Sequence, residues 1–284
     1  MQSSRSLRAW LRAHGAELDA IVFDIDGVLL HGPNPAPGSL EVMRDLHAVG
    51  LPFALLTNDG CHSPEEKAGF LIASGVPVTA ADIVSCGHGL IELKARHGWE
   101  DGRLFYVLGS LGTPCYAETA GLGVTRDPAA VDGCTGVIIG EKSYDWAVAV
   151  TAAFNLFRRH PERFLIVPNP DDCYPGRDGQ MGVASGAVGR MIERLCHSCG
   201  VRKTPVYLGK PYAPIFAYNH HRLERRLGRT VRRERVLIVG DSLTSDVPGG
   251  RDFGYRTALV MTGLTRPDML AASEVKPDLV FEEL

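Results

Sequence analysis

Long apolar runs are missing from this 284-residue chain, and none approaches the roughly 18 residues that a membrane-spanning helix needs. No membrane partner is therefore expected. The opening stretch, MQSSRSLRAWLRAHGAELDA, has neither an apolar h-region nor a small-residue cleavage site, so the cytoplasm is the expected compartment. The spacing of Leu7, Trp10 and Leu11 predicts a short amphipathic helix instead. An excess of one charge is also lacking: 30 Lys and Arg stand against 33 Asp and Glu, a formal net charge of −3. Such a chain has no global field for a polyanion, and nucleic acid is not an expected partner. The basic run Arg222, Arg225, Arg226, Arg229, Arg232, Arg233 and Arg235 is broken by Glu224 and Glu234 and lacks interleaved aromatics, which predicts a solvated helix face and turn. Cysteine is present without a framework. The seven residues are odd in number and scattered, so free thiols are expected. Cys196 and Cys199 have no second pair to complete a zinc site, and Gly200 stands where a c-type haem site needs His. No glycine fingerprint follows a strand, and Gly136–Ser143 (GVIIGEKS) lacks the spacing of a P-loop.

What is present is material for a large folded core, with 45% hydrophobic and 22% charged residues. Gly (32) and Pro (18) are plentiful, as expected where many short strands and helices meet. The stretch Ala20–Leu30 (AIVFDIDGVLL) is the most informative. Its apolar run Ala20–Phe23 reads as a strand buried on both faces, and it stops at two carboxylates, Asp24 and Asp26, before Gly27. Ligands of open α/β sheets sit beyond the carboxyl ends of such strands. Two Asp residues there are costly to desolvate unless a cation meets them.

The same grammar recurs. Pro52–Thr57 ends at Thr57 and Asn58, Pro205–Leu208 ends at Gly209-Lys210-Pro211, and Arg235–Val239 ends at Gly240, Asp241 and Asp246. A fifth strand, Thr257–Val260, and a sixth at Leu279–Phe281 complete the expected sheet. Ser63-Pro64-Glu65-Glu66 reads as a helix start. Helices are predicted at Gly87–His97, Tyr144–His160, Ser185–Cys199 and Ala213–Leu227. Between them, strands at Arg103–Leu108, Gly136–Ile139 and Phe164–Val167 mark a second α/β rhythm. The predicted organisation is a doubly wound, Rossmann-like parallel sheet core in two parts, 1–101 and 180–284, with an inserted α/β cap domain over 102–179. In such a sheet the four polar clusters share one edge. Carboxylates there suit a hard cation such as Mg²⁺, and a lysine, a hydroxyl and backbone N–H groups suit the oxygens of a phosphoryl group.

The ordered set DIDGV (Asp24–Val28), LLTND (Leu55–Asp59), GKP (Gly209–Pro211) and GDSLTSD (Gly240–Asp246) resembles the four motifs of the haloacid dehalogenase superfamily. The insertion after the second motif is where its C2-capped branch, subclass IIA, places the cap. GEKSYDW (Gly140–Trp146), PNPD (Pro168–Asp171) and SGA (Ser185–Ala187) are similar to the ribonucleotide, pyridoxal-phosphate and p-nitrophenyl phosphatase group of that branch. The resemblance implies Mg²⁺-dependent hydrolysis of small phosphomonoesters through an aspartyl-phosphate on Asp24. Asp26 would be the general acid and base, and its backbone carbonyl would be a metal ligand beside the carboxylates of Asp24 and Asp241. Thr57, Asn58 and Lys210 would hold the phosphoryl group, and Asp246 would act from behind them. Asn169, Asp171 and Tyr174 would face the leaving group, and two copies would pair through the cap. Asp26 discriminates within the superfamily, because ATPase members carry Thr there and dehalogenase members lack the second Asp. A phosphotransferase or phosphomutase, and a non-catalytic phosphometabolite sensor, are the alternatives. Two acids depart from the family pattern: Asp59 after Thr57-Asn58, and Asp172 after Asp171. Each adds negative charge near the expected phosphate or leaving-group positions.

Overall fold

The computed structural model describes residues 2–142, 145–175 and 180–284. Ser143 and Tyr144 of the GEKSYDW stretch, and 176–179 of the loop after Tyr174, lie outside the described residues. The chain divides into two compact units. One is built from Met1–Thr57, Pro64–Val84 and Lys210–Leu284, and the other from Asn58–Ser63 and Ser85–Gly209. No helix among the described residues is long and apolar enough to cross a membrane.

The first unit is organised by a seven-stranded sheet in the order Gln2–Ser6, Leu279–Glu283, Arg256–Val260, Val236–Gly240, Ala20–Phe23, Phe53–Thr57, Ile83–Ser85. The pairings from Gln2–Ser6 across to Phe53–Thr57 are all parallel. The three central strands are buried along their whole length, as their continuous apolar runs require. Alternate residues Ile21, Phe23, Leu55, Leu237 and Val239 join one core with Met43 and Leu46 of helix Ser39–Val49 and with Leu71 of helix Pro64–Ala73. On Ile238 the opposite side is covered closely, by Gly250 of helix Asp246–Phe253. Register matters most for the chemistry. Phe23 is level with Val239 on one side and with Leu55 on the other, so Asp24, Asp241 and Thr57 leave the sheet within two residues of one another.

A five-stranded parallel sheet organises the second unit, in the order Val206–Tyr207, Phe164–Val167, Gly136–Ile139, Leu104–Leu108, Gly123–Thr125. A two-stranded antiparallel ribbon, Cys173–Pro175 with Met181–Val183, is separate from it. This unit, Asn58–Ser63 with Ser85–Gly209, is wider than the cap expected over 102–179. Leu90 and Leu93 of helix Gly89–His97 pack with Phe105, Val107 and Leu122, whereas Val188, Ile192 and Cys196 of helix Ser185–Ser198 pack with Leu165 and Val167. Both helices had been expected in the core because their apolar stripes carry no mark of which sheet they cover.

The strand before Lys210 is a second correction. Val206 and Tyr207 pair with Ile166 and Val167, so this strand belongs to the five-stranded sheet and not to the first unit. The Gly209 N–H then donates to Pro168 O at 2.8 Å, and Lys210 is the first residue of the returning segment. The predicted long helix up to His160 is a π-helical turn, Trp146–Val150, followed by helix Thr151–Arg159. All seven cysteines are free.

Candidate active site

Three of the four expected strand-end clusters converge in the first unit. Asp24 follows the Ala20–Phe23 strand, and its N–H donates to Val239 O at 2.9 Å, extending the ladder by one step. Asp241 follows Val236–Gly240, and Asp246 opens helix Asp246–Phe253. Oxygens of Asp24, Asp241 and Asp246 lie within 4.8 Å of one another. Lys210 enters this group from the returning segment. Its ammonium is 2.6 Å from Asp24 Oδ1 and 2.8 Å from Asp246 Oδ1, and it donates to Leu56 O at 3.0 Å. All three ammonium protons thus have acceptors, which lets a lysine be 2% exposed.

Asp246 is the first residue of its helix rather than the cap, a place held by Ser245, and its side chain turns back to the cluster and the preceding loop. Oδ1 takes the lysine, and Oδ2 accepts from the Ser242 N–H at 3.3 Å. Asp241 is clasped from outside. Its Oδ2 accepts from the Leu264 N–H at 2.7 Å, and its backbone carbonyl accepts from Thr265 Oγ1 at 2.6 Å. A Cβ at Gly27, which has φ +89°, or at Gly263 would collide with the same Oδ2. These glycines let two backbone segments close on the carboxylate. Thr57 is buried at the end of its strand.

The electrostatics show a cluster short of positive charge. Burial, with Asp246 and Asp241 adding to it against the pull of Lys210, pushes the Asp24 carboxyl well above its usual range. Burial and Asp246 raise Asp241 to about 6, against the Leu264 N–H and Lys210. Burial works against the charge of Lys210, yet Asp24 and Asp246 outweigh it and hold the ammonium above its ordinary pKa. Three carboxylates facing one ammonium leave two negative charges uncompensated when all are ionised. Asp241 Oδ1 is buried and has no hydrogen-bond partner, a costly state for a carboxylate oxygen in isolation. Hard oxygen donors, a two-charge deficit and an orphaned oxygen fit a divalent cation.

Asp26 is placed differently. Its Oδ2 is 2.9 Å from Lys67 Nζ on helix Pro64–Ala73, a lysine that the sequence reading missed because it follows the acidic helix start like a surface residue. Its companions Ala68 and Leu71 on the buried side were the available signal.

The remaining predicted residues gather in the second unit. Asn58 belongs there, and its Nδ2 is 3.2 Å from both oxygens of Asp171. Asn169 is buried, its amide donating to Glu141 Oε1 at 2.9 Å and accepting from the Asp171 N–H at 2.9 Å. Ser185 Oγ donates to the same Glu141 oxygen at 3.0 Å. Glu141 was not singled out, although it follows a buried strand as the other acids do. Tyr174 is exposed, on the ribbon opposite Gly182. The two departures from the family pattern have local explanations. Asp59 Oδ1 caps the N–H groups of Cys61 and His62 at 2.9 and 3.2 Å, and its Oδ2 pairs with His62 Nδ1 at 2.8 Å. Asp172 is neutralised by Arg190, whose Nε is 2.7 Å away.

The chain is similar to known proteins. Residues 21–123 match a family model described as haloacid dehalogenase-like hydrolase, and residues 207–284 match one described as HAD-hydrolase-like. The ribonucleotide monophosphatase NagD of Escherichia coli K12 is 28% identical over 267 residues, covering 92% of this chain and 94% of its own. The 5'-nucleotidase YutF of Bacillus subtilis is 28% identical over 265 residues, covering 93% and 94%. A 4-nitrophenylphosphatase from Thermotoga maritima superposes with a TM-score of 0.76 at 27% identity, over 94% of this chain and 95% of that one. With four strand-end motifs in order, a parallel α/β core and matches at both ends of that core, the chain belongs to the haloacid dehalogenase-like hydrolases.

Proposed function

We propose that the chain hydrolyses small phosphomonoesters, of the nucleotide, sugar phosphate or pyridoxal phosphate type, with Asp24 as nucleophile. The observation that carries this reading is Lys210, buried between Asp24 and Asp246 beside an Asp241 oxygen that has no partner. The phosphatase names of relatives that span nearly the whole chain support it. It is a phosphoric monoester hydrolase.

In this reading an Asp24 oxygen attacks phosphorus and the ester P–O bond breaks. The departing alkoxide takes a proton from Asp26. Asp26 then removes a proton from water, which attacks the aspartyl-phosphate and releases inorganic phosphate, restoring Asp24. Lys210 and Thr57, with Asn58 next in the chain, hold the phosphoryl oxygens, and Lys210 keeps Asp24 aimed through its 2.6 Å contact. Asp246 fixes Lys210. Asp24, Asp241 and the Asp26 backbone carbonyl would hold Mg²⁺. That ion supplies positive charge to the phosphoryl oxygens when bound.

Asp171 and Tyr174 are assigned to the leaving group, and Asn169 enters as the residue that shapes the loop carrying Asp171. Because Arg190 neutralises Asp172, the doubled acid does not by itself bar an anionic leaving group. Pairing of two copies through the second unit belongs to the same proposal. Exposed Trp146, Val148, Met181 and Val183 on that unit support it. A cytoplasmic location is proposed as well.

The test is phosphate release from p-nitrophenyl phosphate, nucleoside monophosphates, sugar phosphates and pyridoxal phosphate, with Mg²⁺ or with EDTA. Release that EDTA abolishes and Mg²⁺ restores is expected. No release from any of them by folded, metal-loaded protein would move the assignment to a sensor.

A further inference from the structure

Lys67 lies outside the carboxylate cluster. Its side chain is only 9% exposed, yet its ammonium is 2.9 Å from Oδ2 of Asp26, whose own side chain is 58% exposed. A lysine so buried is uncommon unless it is paired. Both ends of this pair stand on rigid supports. Helix Pro64–Ala73 is seated by Ala68 and Leu71 in the same hydrophobic core that takes Ile25, Val28 and Leu29 from either side of Asp26. The turn that carries Asp26 is closed by Gly27 N–H to Leu30 O at 2.8 Å and Leu29 N–H to Ile25 O at 2.8 Å. The contact is therefore made from the buried side, by a cation that cannot swing away, to an acid whose other face is open.

We propose that Lys67 is a positioning residue for proton transfer, pinning Oδ2 of Asp26 so that Oδ1 is the oxygen presented to the leaving group. This rests on the reading of Asp26 as the proton donor. An ammonium has three donors and no acceptor, so an Asp26 proton cannot lie between the two groups and is placed on Oδ1. An unpinned, half-exposed aspartate samples several rotamers, and most of them do not meet the departing oxygen. The benefit of pinning then depends on the leaving group. An alkoxide needs the proton as the P–O bond breaks, whereas nitrophenolate leaves well without it.

The experiment compares Lys67→Met, which keeps the apolar stem, with Lys67→Gln and Lys67→Arg on two substrates. One is p-nitrophenyl phosphate, and the other is the alkyl phosphate that the unaltered chain hydrolyses fastest. The specificity constant kcat/KM is used because it reports the steps up to phosphoryl transfer. The expected result for Lys67→Met and Lys67→Gln is a loss on the alkyl phosphate on the order of tenfold greater than on the nitrophenyl ester, a fraction of what general acid catalysis supplies. The loss should fall on kcat rather than KM, and Lys67→Arg should recover most of it. Equal losses on both substrates, or a raised KM at unchanged kcat, the mark of a lost substrate contact, overturn the inference. If the unaltered chain hydrolyses both substrates, those outcomes count against Lys67 alone. If it hydrolyses neither, the phosphatase reading falls and takes this inference with it.

Discussion

The two units solve the same problem, a buried carboxylate, in opposite ways. In the first, Asp24 and Asp246 share one ammonium, and a third acid, Asp241, keeps an oxygen with no partner at all. In the second, Glu141 Oε1 accepts from an amide and a hydroxyl, Asn169 and Ser185, and its buried Oε2, like Asp241 Oδ1, has no hydrogen-bond partner among the described residues. Neutral donors hold Glu141 in place, whereas three carboxylates around one ammonium leave negative charge for a further cation to meet. The contrast separates the carboxylate set proposed for reaction from a carboxylate whose hydrogen bonds hold a loop.

The largest expected effect breaks the reactive set. Asp24→Asn should lower turnover by a factor on the order of 10⁴ or more while leaving the fold intact, because the nucleophile is removed and its volume is not. Steady-state phosphate release together with circular dichroism checks both halves. Gly263→Ala leaves every charge in place and shifts only one. Its Cβ would collide with Asp241 Oδ2, and the expected result is roughly a 10²-fold loss of turnover from misplacement with about 1–3 kcal/mol of destabilisation. Urea denaturation and kinetics on one preparation separate the two terms.

The smallest effect sharpens the comparison from the other side. Burial lifts the Glu141 carboxyl above its usual pKa, against the hydrogen bonds from Asn169 and Ser185. The folded state therefore binds its proton more tightly than the unfolded chain. Stability from this group is fully present below the unfolded pKa of about 4.5, and it is lost as pH rises through the raised folded value. Glu141→Gln should flatten that decline in thermal-melt series above pH 4.5, with turnover little altered. A steep loss of turnover instead would show that Glu141 has a chemical part and would erase the contrast.

Much of the first unit was legible because burial and chemistry alternate sharply along the chain. Apolar runs such as Ala20–Phe23 and Val236–Gly240 mark strands, and the carboxylates that follow them mark the edge where Asp24, Asp241 and Asp246 gather. Where no such contrast exists, the reading failed. Gln2–Ser6 (QSSRS) has no apolar residue, yet it pairs through its backbone with Leu279–Glu283 at the sheet margin. Val206–Tyr207 looks like any short buried strand, and only its register with Ile166 and Val167 reveals which sheet owns it. Lys67 shares the buried side of its helix with Ala68 and Leu71, but the sequence does not show that its partner is Asp26, 41 residues away. In each case the missing information is a partner distant in sequence, which local composition does not encode.

The strand order has a consequence for biosynthesis. Ala20–Phe23 lies between Phe53–Thr57 and Val236–Gly240, so its two neighbours are made near opposite ends of the chain. As the polypeptide leaves the ribosome, the segments of the second unit, Asn58–Ser63 and Ser85–Gly209, are complete before Val236–Gly240 exists. The insertion can thus fold while the Ala20–Phe23 strand still waits with one edge bare, exposed to wrong pairing. Asp241 and Lys210 are synthesised late, so a nascent chain already carries Asp24, the proposed nucleophile, but not the two residues that gather around it.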